Sequence, residues 1–328
     1  MDETDELLAI RAAELYYEDA KTQEEIGAIL HLTRWKVGRL LARARELGFI
    51  RIEIVHPRAR RLSAERMLRE KFGLKDAVVV QSEHRSAPEI QARVAQAAAD
   101  YLTGMRPVPR TLGVSWGRTL QGVADCLRHG WATRVDVVQI NGGVSLNRMA
   151  GTASATAVEI AHKGSGQATL LPSPAILEHL ETKRAIERDR TVAQVLEKAR
   201  AADAFLFSAG VADASSVHVD SGYITAADVD ELVARGAVGD VLGRYIDAAG
   251  EIVDTQLDDR TVGLGLDEIR RAATSIAVIA GRPKHAVTKA VVTSGLCTVL
   301  VTDEESSAML LSDQVAARVL NGGSRRVG

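Results

Sequence analysis

Residues 22–48, TQEEIGAILHLTRWKVGRLLARARELG, read as two helices joined by a very short turn. Thr22 with Glu25 three residues on is a capping-box pattern, in which the Glu25 carboxylate reaches back to the Thr22 amide. The spacing predicts a first helix to about Leu30, a turn at His31 and Leu32, Thr33 as the next cap, and Gly48 as a left-handed stop. Advancing about 100° per residue from Val37, Leu40, Leu41, Ala44 and Leu47 share one side, which is core. Trp35, Arg39, Ala42 and Arg43 fall opposite, with Arg34 and Lys36 flanking in the first turn. An exposed Trp among cations is unusual for a solvated face. It fits an anion-rich surface with groove-shaped access, because Arg and Lys neutralise phosphates and the leading residues of a recognition helix reach base edges. Thr33, Arg34, Trp35, Lys36, Arg39 and Arg43 are therefore the candidate DNA contacts. A solvated amphipathic helix pair is the plainer alternative.

The charge distribution favours the DNA reading. Net charge over the 328 residues is only −2. Residues 1–32 hold two basic and nine acidic side chains, whereas residues 33–61 hold nine basic and two acidic. The cationic field thus begins at the proposed recognition helix. The length suits two domains, or one large one with an appendage. With 46% hydrophobic but only 4% aromatic residues, the composition suits layered helix and sheet packing better than an aromatic-rich sandwich. Cys126 and Cys297 lie far apart in apolar contexts without metal spacing, so they read as buried thiols in a reducing compartment. No apolar run approaches membrane-spanning length, and the start MDETDELL is wrong for a secretory signal, so a cytoplasmic location is expected. No metal or cofactor is expected.

Outward from the helix pair, Leu7, Leu8, Ile10, Arg11, Ala12, Leu15 and Tyr16 form a helical pattern that packs behind it. Phe49 to Val55 alternates at period two and stops at Pro57, completing a winged helix-turn-helix unit over residues 1–57. Arg58, Arg60 and Arg61 fit a phosphate contact or a solvated linker equally. A linker helix is expected within 58–73, capped by Ser63 and running from Ala64 to Phe72. From residue 74 to 323 the pattern becomes βα. Short apolar strands are read at 76–81, 111–115, 135–140, 168–171, 205–208, 276–280 and 299–302, with helical patterns between them. Strands apolar on both faces and followed by helices predict an α/β domain on a mostly parallel sheet.

Ligands on such sheets settle beyond the carboxyl ends of strands. Three stretches of the sequence occupy such positions. In Gly113-Val-Ser-Trp-Gly-Arg-Thr-Leu120 a strand ends at Ser115 and a helix begins near Gly117. Backbone amides, the Ser115 and Thr119 hydroxyls and Arg118 there suit an anion, although a plain βα turn reads the same way. The Gly-Lys-Ser/Thr spacing of a Walker loop is absent. In Gln139-Ile-Asn-Gly-Gly-Val-Ser145, Asn141 and two glycines permit close backbone approach to a ligand, or simply a tight turn. Gly281-Arg-Pro-Lys-His285 puts Pro283 near a helix start and Lys284 within reach of an anion there, or in solvent.

These segments, the N-terminal helix pair, GAVGDVLGRYIDAAG at Gly236–Gly250, DDRTVGL and VLVTDE together resemble the SorC-type transcriptional regulators. The likeness covers essentially the whole chain, with several motifs in order at compatible spacing. It implies a bacterial regulator with an effector domain of sugar-phosphate isomerase-like fold. Such a regulator binds operator DNA through the first domain and a sugar, polyol or sugar phosphate through the second, and assembles as a homodimer or homotetramer. Carried onto this chain, the phosphate-loop motif is Gly113, Ser115, Trp116, Gly117, Arg118 and Thr119. The second loop is Asn141, Gly142 and Gly143, Asp240 and Asp247 are the acidic positions, and Arg260 and Lys284 are basic positions near the ligand. An Asp fixing a loop is an equal reading of either carboxylate.

Two departures from the family pattern stand out. The second loop has Asn141 and no Lys, so no imine with an aldehyde forms there and a sugar is expected to be held by hydrogen bonds alone. The recognition helix begins RWKVGRL where many relatives have a small, hydroxyl-rich start, so its operator is its own. The competing reading is an isomerase-like enzyme with a helical appendage, using Asp240 or Asp247 as a base. Against it, His129, His162, His179 and His218 are scattered with no carboxylate spacing that demands proton shuttling.

Overall fold

The computed structural model describes residues 3–50, 60–83, 85–143 and 150–312. Contacts divide the chain into two compact units, Met1–His56 and Pro57–Gly328. The first holds α1 (Glu3–Tyr17), α2 (Gln23–Leu30) and α3 (Arg34–Glu46). The capping box forms: the Thr22 amide donates to Glu25 Oε2 at 2.8 Å and the Glu25 amide to Thr22 Oγ1 at 3.3 Å. Thr33 caps α3 by accepting from the Lys36 amide at 3.3 Å. Caps of this kind stabilise a helix by about 1 kcal/mol each. Between the helices His31 takes the left-handed conformation at φ 55°. Gly27 lets the turn close, since a Cβ on it would lie 2.7 Å from the Leu32 carbonyl oxygen.

The core of this unit joins Ala9, Ala12, Ala13 and Leu15 to Ile26, Val37, Leu40, Leu41 and Ala44. Two expectations are corrected. Leu47 is exposed at the end of α3, and Leu7 and Ile10 of α1 are exposed too. Three alanines and Leu15 carry the buried face of α1, with Leu8 and Tyr16 packed at its margin. Phe49 and Ile50 fold back so that both amides donate to the Ala44 carbonyl at 2.9 and 3.3 Å. The remainder of the alternating segment, residues 51–55, and Arg58 lie outside the described residues.

The second unit begins with α4 (Leu62–Phe72) and β1 (Asp76–Val80). Here Ser63 is not a cap: the helix starts two residues earlier than expected, at Leu62, with Arg61 at the cap position and its amide donating to the Val79 carbonyl at 2.9 Å. Glu65, although buried, accepts from the Val79 amide at 3.0 Å and from the Arg60 fork at 2.7 and 2.8 Å. That closes outward-facing backbone groups of β1, an edge strand, against further pairing.

Then follow α5 (Ala87–Gly104), β2 (Thr111–Val114), α6 (Arg118–Cys126), β3 (Asp136–Gln139), α7 (Ala150–Lys163), β4 (Ala168–Thr169), α8 (Leu180–Arg188), α9 (Arg190–Arg200) and β5 (Ala204–Phe207). The chain continues with β6 (Ala209–Gly210), α10 (Val217–Asp220), α11 (Ala226–Ala234), β7 (Gly239–Val241), β8 (Arg244–Ile246), α12 (Thr255–Asp258) and α13 (Leu266–Arg270). It closes with β9 (Ser275–Val278), a 3-10 turn at Arg282–Lys284, α14 (His285–Thr293) and β10 (Val299–Asp303). Seven strands form one parallel sheet in the order β1-β10-β9-β5-β2-β3-β4. Successive residues of a strand enter different cores: Ala77 and Val79 pack in one cluster, Val78 and Val80 in the other. Both faces are covered by helices, which is why the strands read as continuous apolar runs.

One feature escapes the βα reading. Strands β6, β7 and β8 make a small antiparallel sheet, with a tight turn at Leu242 and Gly243, both at positive φ. A separate apolar cluster around Ile224, Val229, Leu232 and Tyr245 supports this segment and takes in Trp116.

Candidate functional site

A cleft of 190 Å³ opens at the carboxyl ends of β2, β5 and β9, where the small antiparallel sheet meets the large one. Its wall is built from Ser115, Trp116, Gly117, Arg118 and Thr119 after β2, and Asn141 after β3. Ser208 and Gly210 follow from β5, Ser216 and His218 from the start of α10, Asp240 and Gly243 from the β7–β8 hairpin, and Lys284 from the turn before α14. Gly117 takes φ 140° at the head of α6 and no side chain caps that helix. Its leading amides are thus open to an acceptor, at the end where the helix dipole favours negative charge.

Arg118 is exposed and makes no ion pair among the described residues. Lys284 is held in the wall by its turn, where the Thr288 hydroxyl donates to its carbonyl at 2.7 Å. Burial lowers its ammonium pKa to about 8; Asp240 opposes the shift and Arg118 adds to it. Asp240 itself is buried. Its Oδ2 accepts from the Gly243 amide at 3.0 Å and lies 3.4 Å from His218 Nε2. Gly210 makes room for this carboxylate, since a Cβ there would meet Asp240 Oδ1 at 2.0 Å. Behind the wall Tyr245 shares a 3.2 Å hydrogen bond with Ser216, and burial raises its pKa.

The structure thus gathers Ser115, Trp116, Gly117, Arg118, Thr119, Asn141, Asp240 and Lys284 into one place. Five other residues singled out in the sequence do not line it. Gly113 lies within β2, where a Cβ would strike the Phe205 ring at 2.4 Å; it serves packing between strands. Gly142 fits against Pro174, and its carbonyl accepts from Trp116 Nε1 at 2.7 Å. The Gly143 carbonyl accepts from the Tyr223 hydroxyl at 3.0 Å. Asp247 caps its own turn, accepting from the amides of Ala249 and Glu251 at 2.8 and 2.9 Å. Arg260 donates to the Leu177 carbonyl at 3.0 Å.

Sequence reading missed Ser208, Gly210, Ser216 and above all His218, which it placed among scattered histidines. The available signal was the run Phe207-Ser-Ala-Gly210, small residues directly after an apolar strand, which marks a strand end open to ligand. In the first unit Arg34, Trp35, Arg39 and Arg43 are exposed and Lys36 is partly so, with Trp35 at 83%. Arg43 pairs with Glu46 at 2.7 Å.

Comparison with known proteins agrees with this architecture. Residues 56–312 match the family described as "Putative sugar-binding domain". The chain is 30% identical over 314 residues to the deoxyribonucleoside regulator of Bacillus subtilis, covering 95% of this chain and 100% of that one. It belongs to the SorC family of sugar-binding-domain transcriptional regulators. The sorbitol operon regulator of Klebsiella pneumoniae is 28% identical over 324 residues, 95% of this chain and all of that protein. The crystal structure of full-length SorC from the same species superposes with a TM-score of 0.71 at 27% identity, over 95% of this chain and 99% of that one. A DeoR family regulator from Listeria monocytogenes gives 0.69 at 25% identity over 76% of this chain and 99% of that one. These relatives are regulators, and the SorC-family protein is accordingly a regulator and not the isomerase-like enzyme of the competing reading. Among the described residues no helix is long and apolar enough to cross a membrane.

Proposed function

We propose that this SorC-family protein is a cytoplasmic, effector-controlled regulator of a carbohydrate or polyol catabolic operon. Residues 1–57 bind operator DNA through Thr33, Arg34, Trp35, Lys36, Arg39 and Arg43. Residues 58–73 connect them to an effector-binding and oligomerisation domain over 74–323. The effector is a phosphorylated sugar or related metabolite bound in the cleft, its anionic group met by Arg118, Lys284 and the leading turn of α6. Asp240 accepts from its hydroxyls. The protein works as a homodimer or homotetramer so that two or more recognition helices meet spaced half-sites. Effector binding shifts the balance between two arrangements of those helices by its different affinity for each.

The observation that supports this reading best is the meeting of Arg118, Lys284 and an uncapped helix N-terminus in one cleft. A site of that kind wants an anion. The test is a thermal-shift screen of the full-length protein against paired phosphorylated and free sugars and polyols, since a ligand of the native state raises its melting temperature. Phosphorylated members are expected to act and Arg118→Ala to blunt them. Equal shifts from free and phosphorylated partners, undiminished in Arg118→Ala, would remove the anion from the proposal.

A further inference from the structure

Two polar side chains in the cleft wall keep a buried atom without a partner. His218 is 2% exposed, with ring centroids 6.0 Å from Trp116 and 6.3 Å from Tyr245. Its Nε2 faces Asp240 Oδ2, and a carboxylate accepts but does not donate, so of the two neutral tautomers the contact selects the one with its proton on Nε2. Nδ1 is then an acceptor, and it has no hydrogen-bond partner among the described residues. Asn141, 3% exposed, likewise leaves Oδ1 unpartnered. An amide can turn end for end, but the imidazole cannot swap its nitrogens without giving up Asp240, so His218 carries the argument. A buried acceptor is costly to leave without a donor, and a ligand that supplies the donor recovers that energy. Arg118 and Lys284 line the same cleft and repel an ammonium donor, which favours neutral donors, and hydroxyls are those a sugar or polyol supplies.

We propose that His218, through Nδ1 and together with Asn141 Oδ1, is a specificity-determining residue that selects effectors donating hydroxyl hydrogens over their deoxy or carbonyl analogues. This rests on the cleft being the effector site. The preference follows from the asymmetry of a site built to hydrogen-bond a hydroxyl: an analogue lacking it leaves the acceptors stranded, whereas the hydroxylated ligand satisfies them.

The test uses calorimetry on the full-length protein with inorganic phosphate, pentyl phosphate, ribitol 5-phosphate and free ribitol. The key variant is His218→Gln, whose amide nitrogen takes the place of Nε2 against Asp240 while nothing replaces Nδ1. The wild type is expected to prefer ribitol 5-phosphate over pentyl phosphate by tenfold or more, about 1.4 kcal/mol. His218→Gln should abolish that preference by weakening ribitol 5-phosphate tenfold or more beyond any change on pentyl phosphate or inorganic phosphate. A preference that survives the substitution, or equal losses on both organic phosphates, overturns the proposal. Should His218→Gln fail to fold, His218→Asn, which keeps a polar atom near the Nδ1 position, is expected to retain the preference; its loss there counts against the proposal. Binding of free ribitol that depends on His218, with no response to any phosphate, upholds the hydroxyl selection and defeats the anion site. If none of the four compounds binds, both readings fall.

Discussion

The chain carries two cationic regions that differ chiefly in their solvent. On α3 the guanidinium groups of Arg34 and Arg39 stand in water beside an 83% exposed Trp35. In the cleft, Lys284 is shielded enough for its pKa to fall to about 8, beside the buried carboxylate of Asp240. The same residue chemistry therefore behaves differently. Exposed cations act on a polyanion through many small, salt-screened terms. A shielded cation acts through one fixed hydrogen bond that salt screens little and pH controls. Under the proposed function, the contrast would let one protein read a long phosphate surface with one unit and a small metabolite with the other.

The sharpest test of the contrast is Lys284→Met. A hydrogen bond to a charged group is worth about 1.5–3 kcal/mol, so affinity for a phosphorylated effector should fall roughly 10- to 100-fold in calorimetry. Far less dependence on salt is expected than at the proposed DNA face. If effector affinity fell as steeply with salt as operator affinity, the two regions would not differ in the way described.

Next in size is Arg39→Ala. Loss of one DNA contact is expected to weaken operator binding by about 1–3 kcal/mol if it reads a base. If it holds a phosphate, it should lower the log–log salt slope by about one. Unchanged affinity and slope in fluorescence anisotropy would take Arg39 off the proposed DNA face.

A smaller effect is expected from pH. Lys284 is fully charged only below about 8, and a bound anion favours the charged form, so binding takes up a proton as pH rises past that value. Affinity for a phosphorylated effector should fall several-fold between pH 7 and 9, a range in which phosphate itself, with its second pKa near 6, barely changes charge. The slope should vanish in Lys284→Met. Smallest of all, Trp35→Ala should change the melting free energy by no more than about 0.5 kcal/mol, as an exposed substitution does, while weakening operator binding. A large loss of stability would show that the ring is buried against protein.

Legibility from sequence followed the range of the interactions involved. Caps at Thr22 and Thr33 were readable because they are set by neighbours three residues apart. The parallel sheet was readable because strands buried on both faces must be apolar throughout, and β1 (DAVVV) and β10 (VLVTD) are nearly so. Ser63 misled because one hydroxyl before an apolar run is a weak signal, and the backbone of Arg61 was already committed to β1. Asp247 and Arg260 match the family motif, yet in the fold Asp247 meets the backbone of its own turn and Arg260 the distant carbonyl of Leu177, which no spacing reveals.

By itself the sequence determined the helix pair with its outward cations, the βα alternation, and the strand ends at which a ligand would lie. Each depends on local periodicity or on a cap within one turn. Only the tertiary structure decided which strand ends share a cleft, because β2, β5 and β9 are adjacent through crossovers spanning most of the domain. It alone brought His218, Asp240 and Lys284 together from three separate segments. Their charge and hydrogen-bonding state follow from burial and mutual distance, quantities that exist only after the chain has packed.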